Sequence, residues 1–551
     1  MNISLTSPLA TLGEDYALSH IIPSTQGLLI LAVAFALGAR WVISRPKSKA
    51  PYPPGPRGLP LIGNLLQLDS ECWHIFTEWK KTYGPIVYLN IGGQPVVVLN
   101  THKVAGDLLD RRATNYSDRP RLIVAGETLT RGILLGLTRY GDVWRRMRRA
   151  CHEALNVGIA GNYHHFQQTE AVLLAYGFMK EPEHWYNHLR RAAASTITSM
   201  VYDMPPLKSC TDPSIANIND MAARITKSAY PGTHLVEFFT FLEFFPKFLA
   251  RWKREADQWY NRYTVGFEKS YNDIHDRVVK GEEQRQSFCA TLAESESRHN
   301  LTRKEASWLA ATMYVAGSET TASTLSWFVL CMCAFRDAQE KASAEIEEVV
   351  GRSRPPNFSD WDQMLAHTLS YAGASLMIIR MLGRTWHCVD PLGLPHAAVQ
   401  DDIYEGYFIP KGTICLANIW AMNRDPDIYG PDAHLFRPDR HLDEKGQLKA
   451  SPADTKDEGH VSYGFGRRLC VGRHVANFSL FIDITTLLWA LKLEPEKDAK
   501  GNFIEPDTVG IVNVGLVVHP VPFKIVTTPR FPEAAAMLSD MRDDVLQSVQ
   551  Y

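Results

Sequence analysis

What this chain lacks first is a charge imbalance: 58 lysines and arginines stand against 60 aspartates and glutamates, a formal net charge of −2 over 551 residues. With a sequence pI near 6.8, no nucleic acid is expected as a partner, because binding one needs a concentrated basic face. No Gly/Ser linker, low-complexity tract or internal repeat lies between about residue 60 and residue 530. That excludes a solenoid or a string of small domains and leaves one large domain. The nine cysteines, at 72, 151, 210, 289, 331, 333, 388, 415 and 470, have no paired zinc-type spacing. Their scatter fits a reducing compartment better than a disulfide framework. No flavin or nicotinamide fingerprint is evident either.

What is present begins at the N-terminus. Gly27 to Ala39 is unbroken apolar or glycine sequence, and beyond Arg40 the run continues through Trp41, Val42 and Ile43. Residues 27–43 are at the short limit for a spanning helix, and basic residues follow at 45, 47 and 49. The expected organisation is a lumenal tail at 1–26, a transmembrane anchor at 27–43 and a basic, proline-rich linker at 44–60. One large domain at 61–530 and a C-terminal tail at 531–551 complete it. The positive-inside rule places everything after the anchor in the cytosol. A cleaved signal peptide is disfavoured because the charges lie after the apolar run. Asn2-Ile-Ser4 is a glycosylation sequon in the lumenal tail, whereas Asn115, Asn300, Asn357 and Asn477 head cytosolic triplets that should stay bare.

Ile86–Ile91 and Pro95–Leu99 flank Gly92-Gly93 and read as a β-hairpin. Helix-like apolar spacing marks 101–113, 142–156, 163–180, 185–203, 248–280, 303–336 and 338–350, and short strands are expected around 403–408, 413–418 and 511–527. The predicted class is mainly α with small β-sheets. The phenylalanine-rich run His234–Leu249 has core as its default reading, ahead of a lipophilic channel or a membrane-dipping surface.

The most specific chemistry lies at Tyr463-Gly-Phe-Gly-Arg-Arg-Leu-Cys-Val-Gly472. One cysteine is framed by three glycines and paired arginines, a setting suited to an ionised thiolate beneath a flat cofactor. The run resembles the haem-binding signature of the cytochromes P-450, Phe-x-x-Gly-x-Arg-x-Cys-x-Gly. Gly466, Arg468, Cys470 and Gly472 are in register, and Tyr463 stands where the family usually has Phe. The resemblance implies the P-450 fold, with Cys470 as axial ligand of a haem b iron (iron protoporphyrin IX) and Arg468 on a haem propionate.

Further segments join it. Ala316-Gly-Ser-Glu-Thr-Thr321 resembles the family's distal-helix motif, implying that Gly317 opens a groove, Thr320 hydrogen-bonds bound oxygen and Glu319 feeds protons inward. Trp144 and Arg148, four apart on one helix face, resemble the Trp-x-x-x-Arg pair that contacts propionates, and His396 takes a similar role by family position. Residues 119–136 would wall the substrate pocket. Residues 51–64 resemble the proline-rich hinge of microsomal members.

One segment departs from the family. Phe436-Arg-Pro-Asp-Arg440 resembles the segment whose arginine joins a Glu-x-x-Arg helix in a buried ionic cluster. Yet Ile378 and Met381 occupy the Glu and Arg positions, and no glutamate occurs from 366 to 404. Either a gene-model or splicing error replaced this stretch, or the protein is a relic impaired in haem binding. The resemblance otherwise implies a membrane-anchored, fungal microsomal monooxygenase. It would sit in the endoplasmic reticulum as a single-pass protein with its catalytic domain cytosolic. It would take electrons from NADPH-cytochrome P-450 reductase and put one atom of O2 into a lipophilic small molecule, with membrane lipid as a further partner. The alternative is a non-catalytic membrane protein of the same fold.

Overall fold

The computed structural model describes residues 48–548, apart from 61, 230–232, 238, 283–284, 365–385, 445–448 and 516. The expected anchor at 27–43, the Asn2 sequon and the stretch where Glu-x-x-Arg is missing lie outside the described residues. Among the described residues no helix is long and apolar enough to cross a membrane.

Helices dominate. The principal ones are α1 (Cys72–Tyr83), α2 (Asp142–Leu155), α3 (His164–Lys180), α4 (Trp185–Tyr202), α5 (Pro213–Ala229) and α6 (Arg251–Lys280). They continue with α7 (Arg303–Ala334), α8 (Arg336–Val350), α9 (Arg473–Ala490) and α10 (Ala534–Ser548). The last occupies the stretch set apart as a tail, and Ala534 and Leu538 bury it against the core.

The hairpin forms as the Gly-Gly turn dictates. Gly92 and Gly93 both take positive φ, as a two-residue hairpin turn requires. Strands β1 (Ile86–Ile91) and β2 (Gln94–Leu99) pair antiparallel with Ile86 opposite Leu99. β3 (His396–Ala397) and β4 (Ile414–Ala417) complete a sheet of order β1-β2-β4-β3, with β2 and β4 parallel. Alternation sends Val87, Leu89, Val96 and Val98 to one apolar cluster and Ile86, Val97 and Leu99 to another, so both faces are covered. A separate pair, β5 (Leu491–Pro495) and β6 (Ile525–Pro529), closes the end of α9.

α7 is the axis of the fold. It starts at a capping box: Glu305 N–H donates to Thr302 Oγ1 (3.2 Å), and Thr302 N–H donates to Glu305 Oε2 (2.8 Å). Apolar almost all round, it buries Trp308, Tyr314 and Trp327 completely, as a helix surrounded by others must. Trp308 Nε1 donates to Thr264 of α6 at 3.0 Å, and Trp327 Nε1 to the Val518 carbonyl at 3.1 Å, so the rings leave no polar atom unpaired. α4 runs along α7, and α3 packs on α9.

The phenylalanine-rich run does not form core. Phe239, Phe241, Phe244, Phe245 and Phe248 are exposed, Phe244 by 87% and Phe248 by 74%. The reason lies in the backbone. The run folds into 3-10 turns (Leu235–Glu237, Thr240–Phe244) whose carbonyls are taken by cations of α6. Lys253 donates to the carbonyls of Glu243 and Phe245, and Arg254 to those of Lys247 and Phe248. Glu237 accepts from Ile123 and Val124 N–H at 2.9 Å each, stapling the run to the π-helical turn Ile123–Leu129, and Arg121 adds an ion pair to Glu243. Its inner side is already filled by Val236 and Leu242, packed on Ile123, Val124 and Trp252, and by these polar bonds, and the rings of Phe239, Phe241, Phe244, Phe245 and Phe248 are left outside.

Because the capping box begins the central helix, Thr302→Ala should cost about 1 kcal/mol. Thermal unfolding reads this as a lowered midpoint; an unchanged one would show that packing alone starts α7.

Candidate functional site

The cysteine loop is a tight hairpin. Cys470 N–H donates to the Tyr463 carbonyl at 2.9 Å, and Leu469 N–H to that of Gly466 at 3.2 Å. Gly466, at φ 57°, is fixed by its surroundings, since a Cβ there would overlap the Leu109 carbonyl. Gly464 and Gly472 have nothing within 4 Å of where a Cβ would stand. These two leave free space, whereas Gly466 serves chain packing. Tyr463 donates its hydroxyl to Asn477 of α9 at 2.6 Å, turning its ring onto the helix that follows.

Cys470 lies deep among protein atoms, yet its side chain is exposed. Both hold if it faces an internal slot rather than bulk water. Burial pushes the thiol above its ordinary value, while the Gly472 N–H and the charges of Arg148 and Arg473 pull the other way. α9 starts three residues on, so its N-terminal dipole also favours the thiolate.

α2 ties this loop to α7. Arg148 donates to the Leu469 carbonyl, and three residues on, Cys151 Sγ lies 4.0 Å from Met313 Sδ. Met313, Ala316 and Thr320 share one face of α7, where Ala316 is exposed between fully buried stretches. Thr320 donates its hydroxyl to the Ala316 carbonyl at 2.7 Å. Through α2 the open window of the central helix is thus linked to the cysteine loop.

Gly317 does something other than open a groove. A Cβ on it would stand 2.6 Å from Ile197 Cδ1, so the glycine admits the close approach of α4 to α7. That approach brings Arg190 of α4 to Glu319: Nη2 lies 3.2 Å from Oε1, both side chains about two-fifths exposed. Glu319 thus lines a small cavity together with Arg190, Cys210, Asn219, Tyr314 and Ser318. The sequence pattern placed the acid correctly on α7 and missed its partner.

The electrostatics around the loop are unusual. Arg468 is buried, and its guanidinium donates only to the carbonyls of Ser117 (2.8 Å), Thr138 (2.8 Å) and Leu135 (3.5 Å), while stacking 4.5 Å from the Trp144 ring. Arg119 likewise donates to the carbonyls of Gly136, Leu394 and Pro395. Burial first, then the charges of Arg119 and Arg148, push Arg468 down to about 8; burial pushes Arg119 down to about 10. His396 donates through Nδ1–H to the Tyr116 carbonyl at 2.7 Å, which selects the tautomer of the neutral ring protonated at Nδ1. Burial, then Arg119, holds it down to about 3. Asp118, the near carboxylate, is taken by Arg139 and the Tyr140 N–H.

Two buried guanidiniums, Arg119 and Arg468, and the half-buried Arg148 thus share one neighbourhood without a carboxylate hydrogen-bonded to any of the three among the described residues. Such a cluster is costly unless a multiply charged anion completes it. A flat tetrapyrrole with two propionates fits: cations for its acids, glycines free of Cβ beside it, a thiol to ligate its metal. Arg119 was not legible as part of this site, since Ser-Asp-Arg-Pro120 reads locally as a turn.

With this geometry in hand, comparison with known proteins is direct. The cytochrome P450 family model matches residues 53–526, and the chain belongs to that family. A cytochrome P450 monooxygenase of Armillaria gallica is 54% identical over 491 residues, covering 89% of this chain and 92% of its own. Cytochrome P450 monooxygenase 58 of Postia placenta is 47% identical over 523 residues, 95% and 97% of the two chains, and iboC of Amanita muscaria is 37% identical over 561. The protein is a haem-thiolate monooxygenase.

Because His396 is depressed from 6.5 to about 3, the fold binds its neutral form. It contributes stability that is fully present above the unfolded value and is lost as pH falls from 6.5 toward 3. The haem-free chain should melt at a lower temperature when acidified through this window, and His396→Gln should blunt the drop. Parallel curves for both chains would remove His396 from the account.

Proposed function

We propose that this chain is a membrane-anchored, single-pass P450 of the endoplasmic reticulum. It would hold haem b, receive electrons from NADPH through a separate reductase and oxygenate a lipophilic small molecule. The observation that carries the haem reading is the cluster of Arg119, Arg148 and Arg468 beside the exposed Cys470, whose guanidiniums hydrogen-bond to carbonyls and, among the described residues, to no carboxylate. When bound, haem supplies the dioxygen chemistry and the electron-rich thiolate ligation that favours O–O cleavage.

The chain's own residues do the rest. Cys470 presents its sulfur from a loop braced by the Tyr463 carbonyl, and the N-terminus of α9 lowers the cost of its negative charge. Arg148, Arg468 and Arg119 orient a dianion and are relieved by it. Thr320 holds a proton at Oγ1 over the window of α7, spent on the Ala316 carbonyl when nothing else is there. Glu319 holds or moves a proton at its carboxylate, and reaching inward requires it to leave Arg190. The apolar turn Ile123–Leu129 supports a lipophilic substrate wall.

Two features support the membrane: the apolar run 27–43 and the exposed phenylalanines. Capping of the platform's carbonyls by Lys253 and Arg254 matters here, since unpaired carbonyls resist transfer from water.

The reduced, carbon monoxide-bound protein should show the red-shifted Soret band from which the family takes its name, and Cys470→Ala should abolish it. A thiol-type spectrum, or no haem at all, would instead favour the relic motivated by the missing Glu-x-x-Arg. For the membrane, a chain starting at residue 48 should still float with liposomes. Phe244→Ser with Phe248→Ser should weaken flotation on the order of ten-fold or more, from the apolar area withdrawn. Equal flotation of both chains would leave the platform without a lipid role.

A further inference from the structure

The carboxylate expected to partner Arg440 is absent from the sequence, yet Arg440 is not left alone. Its side chain is only 6% exposed, in the 3-10 turn Pro438–His441. Nη1 donates to Asp432 Oδ1 at 3.0 Å and to the Tyr429 carbonyl at 2.8 Å. Nη2 donates to the carbonyls of Asp432 (2.7 Å) and Leu435 (2.8 Å). Among the described residues Nε has no partner. One guanidinium therefore gathers the whole loop 429–435, and Asp432 supplies the carboxylate.

Asp432 is itself fixed. Its second oxygen accepts from Arg437 Nη1 at 2.6 Å, so it bridges two arginines. Arg437 in turn reaches Asp439, which is largely exposed and makes no bond to Arg440.

The loop so gathered leads toward the metal-ligating cysteine. Tyr429, whose carbonyl Arg440 holds, donates its hydroxyl to the Gly459 carbonyl at 2.9 Å. Asn423 accepts from Val461 N–H at 3.0 Å and donates to Ser462 Oγ at 2.9 Å. Tyr463 follows at once, and its carbonyl takes the Cys470 N–H. A continuous path of polar bonds and a few peptide units thus runs from Asp432 through Arg440 and Tyr429 to the base of the cysteine hairpin.

We infer that Asp432 replaces the missing glutamate as counter-ion of Arg440, and that it is a positioning residue for Cys470. The inference rests on the haem-thiolate reading. It also offers a third way to read the departure in the sequence: the brace is kept by a carboxylate drawn from the arginine's own loop. Holding a ligand from outside the first sphere typically governs metal affinity ten- to a hundred-fold.

The test uses the full-length holoenzyme. Wild type, Asp432→Asn, Asp432→Glu, Asp439→Asn and Tyr429→Phe are compared by rate of haem transfer to apomyoglobin, reduced carbon monoxide spectrum and thermal midpoint. Asp432→Asn should release haem on the order of ten-fold faster or more and move the spectrum toward the thiol type. Asp432→Glu should restore both, and Asp439→Asn should change neither. Should Asp432→Asn fail to fold, Tyr429→Phe decides: it cuts only the hydroxyl link to Gly459 and should speed haem release without lowering the thermal midpoint. Wild-type spectrum and haem retention in Asp432→Asn, an equal effect of Asp439→Asn, or unchanged release in Tyr429→Phe would each overturn the inference. A wild-type chain lacking the red-shifted band would instead sink the haem-thiolate reading itself.

Discussion

Buried positive charge with no carboxylate hydrogen-bonded to it among the described residues is the constraint on which the rest of the molecule depends. Guanidiniums remain ionised under nearly all conditions, so a fold that buries Arg119 and Arg468 together, with Arg148 half-buried beside them, must supply either carbonyl dipoles or an anion. This fold supplies carbonyls, drawn from Ser117, Leu135, Gly136, Thr138, Leu394 and Pro395. Those residues come from two distant parts of the chain, 117–138 and 394–395. The arginines therefore cross-link the segment before α2 to the approach of β3, and the cysteine hairpin closes on both. A cofactor that neutralises the cluster also tightens the junction between them.

The central helix answers a different demand. It must stay buried for stability and yet present one accessible window. It does so by spending its large side chains, Trp308 and Trp327, on either side of the window and placing small residues between. Gly317 belongs to that economy of space, toward α4 rather than toward the window. The approach it permits is what gives Glu319 a cationic neighbour at the outer end of a narrow inlet. Adjacent residues of one helix thus have different commitments, Glu319 to Arg190 of α4 and Thr320 to the Ala316 carbonyl of α7 itself.

Much of this was legible from spacing. The cysteine hairpin, the Gly-Gly turn, the helix periods and the position of the acid–hydroxyl pair are local patterns, and local patterns survive in one dimension. What was not legible depended on contacts far apart in sequence. Arg119 sits in an irregular stretch beside the Asp118–Ala397 bridge, and only folding sets it beside Arg468, some 350 residues on. Arg190 carries no local sign of its pairing with Glu319. Asp432 was overlooked because attention went to the helix where the partner of Arg440 was expected, although the substitute lay eight residues away. The phenylalanine-rich run misled for another reason. Hydrophobic composition favours burial, but it cannot say which side of a segment the backbone has already committed to hydrogen bonds.

The staple made by Glu237 joins two surfaces usually considered apart. One carboxylate holds the N–H groups of Ile123 and Val124, which open the π-helical turn, while the adjoining residues carry the exposed rings. Neither part can be displaced without the other. On the proposed membrane reading, a change in how deeply the rings are immersed would be passed through this polar linkage to the turn Ile123–Leu129. A bilayer would then act as part of the enzyme's geometry.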